Sequence, residues 1–326
     1  MRLKKIRCLI LVMVFILFIV SCTTFAAKKP IKLVFGAPYA ADHYCSKYDL
    51  MFKDLVEKQT KGQIIVDFYP ALQLGTVPEE LQAIKMGSQQ MFATSPGNIV
   101  TFLPKMATFD LPYIYRDQDH HKKVAKNFAT LIDQDEFVAK LGARVLGYYI
   151  DAPRNLTSNV PVNKLEDVKG LKIRLPEHPT SLALWKSFGA IPVVLPLTDV
   201  YTALATGTVD AQENPFIYIQ TMKFYEVQKY CALTAHKREV GIILINNNCW
   251  KSLTKTQQKI ITNVSNKCGQ LKIQAAVESN EELAKTLAKE GMQFTKPNLA
   301  LFRKQAKAIW GQFGDPELIK KIEAIK

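Results

Sequence analysis

The local signatures of several enzyme classes are missing from this 326-residue chain. It has no HExxH, no GxSxG, no P-loop and no GxGxxG, which removes the motif-level case for zinc proteases, serine hydrolases, nucleotide-phosphate loops and dinucleotide folds. Histidine is scarce, five in all, and the adjacent pair His120-His121 cannot face one way on a helix, so no metal site and no cofactor is expected. There is no CxxC. Of six cysteines, Cys8 lies in an N-terminal leader and Cys22 at its boundary, leaving Cys45, Cys231, Cys249 and Cys268. Four cysteines allow three complete pairings, but a core of this size needs no staples, so buried free thiols are expected. No internal repeat or low-complexity tract stands out, and the apolar run Cys8–Val20 is short for a membrane span.

That run follows a basic start, MRLKKIR, and together they read as a secretion signal over residues 1–27. Two cleavage sites compete. Ile19-Val20-Ser21-Cys22 resembles a lipoprotein box whose cysteine is lipidated, with isoleucine where leucine is usual, and Thr24-Phe25-Ala26-Ala27 suits ordinary signal peptidase. Secretion places the mature protein in the periplasm, soluble or anchored through Cys22. The net charge is +14, and subtracting the leader's four cations leaves +10 for the rest. That surplus favours anionic partners. Nucleic acid is not among them, because a secreted chain without a helix-turn-helix, RRM or basic helix lacks the means to read it.

With 48% hydrophobic and 22% charged residues, the chain suits two packed α/β domains. IKLVFGAP reads as a strand, and YCSKYDLMFKDLVEKQTKG as a helix whose Tyr48, Met51, Phe52, Leu55 and Val56 form a core stripe. QIIVDFYP is the next strand and PEELQAIKMG the next helix, an order that implies parallel pairing. MFATSPGN ends a strand in a small-residue loop. ARVLGYYIDAP is a further strand, and its Asp151-Ala152-Pro153 exit is the first place for the chain to cross between domains. TKTQQ through AKEG is nearly all helix-former, long enough to reach across both lobes, with Gly269 as a kink.

Chemistry concentrates between Arg154 and Pro215. In GLKIRLP, apolar and basic residues alternate between Gly170 and Pro176, a short strand with Arg174 at its carboxyl end. Ligands of α/β sheets bind outside such ends, and a guanidinium there offers a planar fork to a carboxylate. TDVYTALATG reads as a helix capped by Thr198 and stopped by Gly207. Asn214 precedes Pro215, which opens the helix FIYIQTMKFYEV towards the same crevice. The competing readings are a solvated surface arginine and a plain helix cap.

Taken in order, PRNLTSN, DVKGLKIRLP, WKSFGAIPVVLPLTDVYTALATGTVDAQENP and KFYEVQKY resemble the DctP-type solute-binding proteins of tripartite ATP-independent periplasmic (TRAP) transporters. The likeness starts at IKLVFGAPYAADH and runs through FYPALQLGTVPEELQAIKMGSQQMFATS and FDLPYIYRD into the carboxyl-terminal helices. It implies a two-lobed α/β fold of the periplasmic-binding-protein kind, with two discontinuous domains, a hinge, and a long C-terminal helix spanning both. Residues 28–151 plus 240–279 form domain I, and 152–239 plus 280–326 domain II.

The resemblance also implies that Arg174 holds a substrate carboxylate, with Arg154 and Asn214 assisting. Tyr39, Thr94, His178, Leu197 and Phe216 join the lining by loop position alone. Sialic-acid-binding members carry an acidic residue and an arginine where this chain has Thr94 and Gly97, which argues against sialic acid and for a less polar acid. The expected protein is therefore a monomeric carrier that delivers a small organic acid to a TRAP permease, not an enzyme. A secreted hydrolase built from residues distant in sequence, or a lipoprotein serving a sensor, are the rivals.

Overall fold

The computed structural model describes residues 29–326, so the leader, its cleavage sites and Cys22 lie outside the described residues. Two sheets organise the rest. The first has the order β2-β1-β3-β10-β4, built from β1 (Ile31–Gly36), β2 (Ile64–Tyr69), β3 (Met91–Thr94), β4 (Ala143–Ile150) and β10 (Val240–Asn246). β1 is parallel to both β2 and β3, whereas β10 runs antiparallel to β3 and β4. The second has the order β11-β9-β5-β8-β6-β7, from β5 (Arg154–Ser158), β6 (Lys172–Leu175), β7 (Ile191–Val194), β8 (Ala211–Asn214), β9 (Tyr230–Lys237) and β11 (Gln293–Thr295). The architecture is two-lobed α/β.

Local sequence accounts for most elements. Leu33 and Phe35 of β1, and Ile64 and Val66 of β2, are fully buried at alternate positions. The helix Tyr44–Gln59 buries Phe52 and Val56, and the chain leaves it through Gly62 at φ +74°. In the helix Val77–Met86, Thr76 and Glu79 form a capping box and Gly87 ends the helix in the left-handed region.

The chain passes from the first sheet to the second at Asp151-Ala152-Pro153 and back at Arg238-Glu239. The two crossings run side by side, Asp151 N donating to Glu239 O at 3.0 Å. A 35-residue helix, Lys255–Lys289, makes a third connection, packing on the helix Tyr44–Gln59 and β4 and further along on the helix Phe216–Thr221.

Four local expectations are corrected. The long helix continues unbroken through Gly269, whose role is close approach: a Cβ there would collide with the Tyr148 carbonyl oxygen of β4. Thr198 caps nothing, its hydroxyl donating to Asp199 Oδ1 within a 3₁₀ turn (Leu197–Asp199) that precedes the short helix Val200–Ala205. The helix after Pro215 stops at Thr221, because Lys223 turns to φ +57°. The last residues do not stay with the second sheet: Trp310 Nε1 donates to Pro112 O (2.9 Å), Asp315 N to Thr108 Oγ1 (2.9 Å), and Arg116 to the carbonyls of Glu323 and Ile325. These partners belong to the segment before β4, on the first-sheet side. Cys45, Cys231, Cys249 and Cys268 are free thiols.

Candidate functional site

β6 and β8 are parallel, so Arg174 and Asn214 come to the same sheet end, and antiparallel β5 brings its first residue, Arg154, beside Asn214. All three line a cavity of about 430 Å³, to which β3 contributes Thr94 and the β6 exit contributes His178. Leu197 lines it as well.

Arg174 is 3% exposed and has no carboxylate in ion-pair range among the described residues. Its Nε and Nη2 both donate to Leu195 O, at 2.9 and 2.7 Å. That leaves Nη1 and one Nη2 hydrogen for an acceptor in the cavity. Burial, and then the charge of Arg154, lower its pKa to about 10. A desolvated cation without a counterion is costly unless something anionic joins it.

Arg154 is held differently. Its Nε donates to Glu213 Oε2 (2.6 Å) and its Nη2 to Glu213 Oε1 (2.9 Å), Glu213 O (2.7 Å) and Asn214 Oδ1 (2.9 Å). Burial would lift the Glu213 carboxyl, but Arg154 outweighs it and holds that group well below the usual range. His236 Nε2 also lies 2.9 Å from Glu213 Oε2. Arg154 is thus a charge already matched, and its contact with Asn214 fixes that amide, whose Nδ2 donates to Gln212 Oε1.

His178 belongs to a second buried cluster. Lys237 Nζ lies 2.6 Å from Asp110 Oδ1, 3.0 Å from Glu239 Oε1 and 3.1 Å from His178 Nδ1. Asp110, His178 and Glu239 converge as metal ligands would, but the lysine ammonium sits among them as the cation. Since Nδ1 accepts from Lys237, Nε2 carries the imidazole proton and donates to Asn98 Oδ1 at 2.7 Å. Burial, then Lys237, lower the His178 pKa to about 4. Asn98 in turn donates to Thr94 Oγ1 at 3.1 Å. This cluster explains Gly97: a Cβ there would collide with Asp110 Oδ1 and come within 2.8 Å of His178 Cε1.

Two expected lining residues lie elsewhere. Tyr39 is buried behind the cavity, its hydroxyl donating to Asp49 Oδ2 (2.7 Å) in a buried group with Lys272, which pairs with Asp49 Oδ1 at 2.6 Å. Phe216 packs into the second-sheet core, edge-on to Phe294 at 5.6 Å. Sequence reasoning missed Asn98 and Glu239 as lining residues and Asp151 as more than a crossing. Glu213, adjacent to Asn214, carried a readable hint, whereas Glu239 and Asn98 carried none.

Residues 35–315 match the family model of bacterial extracellular solute-binding proteins, family 7 (DctP). The sialic acid-binding periplasmic protein SiaP of Vibrio cholerae is 33% identical over 279 residues, 84% of this chain and 87% of that one. The C4-dicarboxylate-binding periplasmic protein DctP of Rhodobacter capsulatus is 33% identical over 70% of this chain and 68% of its own length. Among solved structures, a TRAP periplasmic solute binding protein from Sulfurospirillum deleyianum with bound succinate superposes with a TM-score of 0.84 at 28% identity, covering 91% of this chain and 99% of that one.

Proposed function

This chain belongs to the bacterial extracellular solute-binding proteins of family 7, and we propose that it captures a small organic acid in the cavity between its sheets and hands it to a TRAP-type permease. One observation carries the ligand class: Arg174, buried at the cavity wall without a carboxylate of its own among the described residues. An incoming carboxylate meets Nη1 and Nη2 end-on, while Leu195 O holds the other edge of the guanidinium in place. Asn214, set by Arg154, offers the remaining Nδ2 hydrogen. Arg154 acts by positioning, because Glu213 already takes its charge.

The relatives support the same class, being named for sialic acid and for C4-dicarboxylates, with succinate in a structural neighbour. They also support a periplasmic location, and no helix among the described residues is long and apolar enough to cross a membrane. Lipidation at Cys22, a monomeric state, and the split into 28–151 plus 240–279 against 152–239 plus 280–326 are parts of the same proposal. Residues 310–326 are the exception to that split, since they pack on the first-sheet side.

Native mass spectrometry of the purified protein tests the reading. The parent should retain a small carboxylic acid, and Arg174→Ala should emerge empty. A retained ligand without a carboxyl group, or full retention by the variant, would overturn it.

A further inference from the structure

Resting on the carboxylate reading above, we propose that the cleft selects a monocarboxylate with an apolar body and refuses both dicarboxylates and polyhydroxylated acids. The first argument is charge. The arginines lining the cavity are Arg154 and Arg174, and Arg154 is matched by Glu213 and Glu239. Lys237 behind the wall is matched by Asp110 and Glu239. Among the described residues that line the cavity, Arg174 remains as the unmatched cation, enough for one carboxylate.

A second carboxylate would find an acid instead. Asp151 lines the cavity, is 7% exposed, and accepts from Tyr44 Oη (2.8 Å) and Ala152 N (2.8 Å) through Oδ1. Its Oδ2 has no donor among the described residues. Like charges brought together in a desolvated site repel strongly.

The wall carries the second argument. Leu72, Val77, Leu81, Val100 and Phe102 face the cavity from the first-sheet side and Leu197 from the other. Several buried polar groups are already bonded to one another: Thr94 and His178 to Asn98, and Asn214 to Arg154 and Gln212. The polar lining residues Gln82 and Thr101 are exposed. A ligand rich in hydroxyls would trade its hydrogen bonds to water for few partners, chiefly Asp151 Oδ2 and the Tyr149 and Tyr218 hydroxyls, whereas an alkyl or aryl body has no such bonds of its own to give up.

Calorimetric titration of the parent protein with phenylacetate, 4-methyl-2-oxopentanoate, succinate and D-glucuronate tests this. At least one of the first two should bind about tenfold or more tightly than succinate and D-glucuronate. Asp151→Asn should tighten succinate several-fold relative to the monocarboxylates, and the parent panel decides the matter even where that variant does not fold. Succinate or D-glucuronate binding as tightly as the better monocarboxylate, or no binding by any of the four, overturns the selectivity. The carboxylate reading is judged apart from it: if succinate or D-glucuronate wins and Arg174→Ala abolishes its binding, that reading stands and the selectivity alone falls.

Discussion

Arg174 and Arg154 are both buried arginines, yet removing them should have opposite consequences. Arg174 has no counterion among the described residues, so Arg174→Ala relieves an uncompensated charge and should leave the melting temperature of the ligand-free protein unchanged or raised. Its ligand affinity should fall by about 2 to 5 kcal/mol, the usual cost of truncating one partner of a desolvated pair. Arg174→Lys should also bind weakly, since an ammonium cannot hold Leu195 O and a carboxylate at once in planar geometry. A titration in which Arg174→Ala binds within about threefold of the parent, less than the tenfold that corresponds to roughly 1.4 kcal/mol, would remove the site. Arg154→Ala instead strands Glu213, 1% exposed, and should destabilise the fold by about 3 to 5 kcal/mol, read as a melting temperature lower by about 5 °C or more. Arg174 and Asn214 were legible because a strand flanked by Gly170 and Pro176, and an Asn-Pro step, mark sheet ends within a few residues. The Arg154–Glu213 pair spans 59 residues and leaves no local trace. Tyr39 and Phe216 were placed by loop position, which does not say which way a side chain turns.

Among the elements, the long helix Lys255–Lys289 shows how a propensity argument reverses in tertiary context. In an exposed helix, Gly→Ala stabilises by about 0.5 to 1 kcal/mol, because glycine gives up the most backbone freedom on folding. Gly269 instead lies against β4, where an added methyl meets the Tyr148 carbonyl oxygen, backbone that has little room to yield. Gly269→Ala should therefore destabilise by about 1 to 3 kcal/mol, the range for overpacking, seen as a lower urea midpoint. A raised midpoint would show that the helix does not press on β4. Helix and strand existence was legible from period and punctuation. What was not legible was the reason for Gly269, or the early stop at Thr221, since both depend on neighbours distant in sequence.

For the molecule as a whole, buried histidines set the acid side of stability. His43 and His121 are lowered to about 3 and His178 to about 4, each chiefly by burial. Below about 6.5 the unfolded chain takes up protons on these residues that the folded chain refuses, so stability falls as pH drops from there towards 4. Glu80, raised to about 7, and Asp151, raised to about 6, each by burial, act with the opposite sign, as does Asp49, but His120 and His236 are also lowered by burial and join the other three imidazoles. The urea midpoint should therefore be lower at pH 5 than at pH 7, and a constant or rising midpoint would contradict this. Closure is the larger-scale consequence of the topology. Two lobes were legible from the Asp151-Ala152-Pro153 exit, whereas the return of residues 310–326 to the first-sheet side was not, because it rests on main-chain acceptors such as Pro112 O. The paired crossings, tied by Asp151 N to Glu239 O, form a narrow strap about which the sheets can swing. Across the cleft, Asn98 from the β3 exit meets His178 from the β6 exit, one hydrogen bond worth about 0.5 to 1.5 kcal/mol net beside the buried pair of Asp110 with Lys237. A ligand biases closure only through contacts it makes in the closed form, and a shift from 1:99 to 99:1 needs about 5.5 kcal/mol. A carboxylate on Arg174 that also touches the first-sheet wall adds such contacts. Small-angle scattering should show a smaller radius of gyration with saturating ligand than without it, and Asn98→Ala should enlarge the ligand-free radius while still contracting on binding. Identical curves for free and demonstrably loaded protein would mean that the strap does not bend.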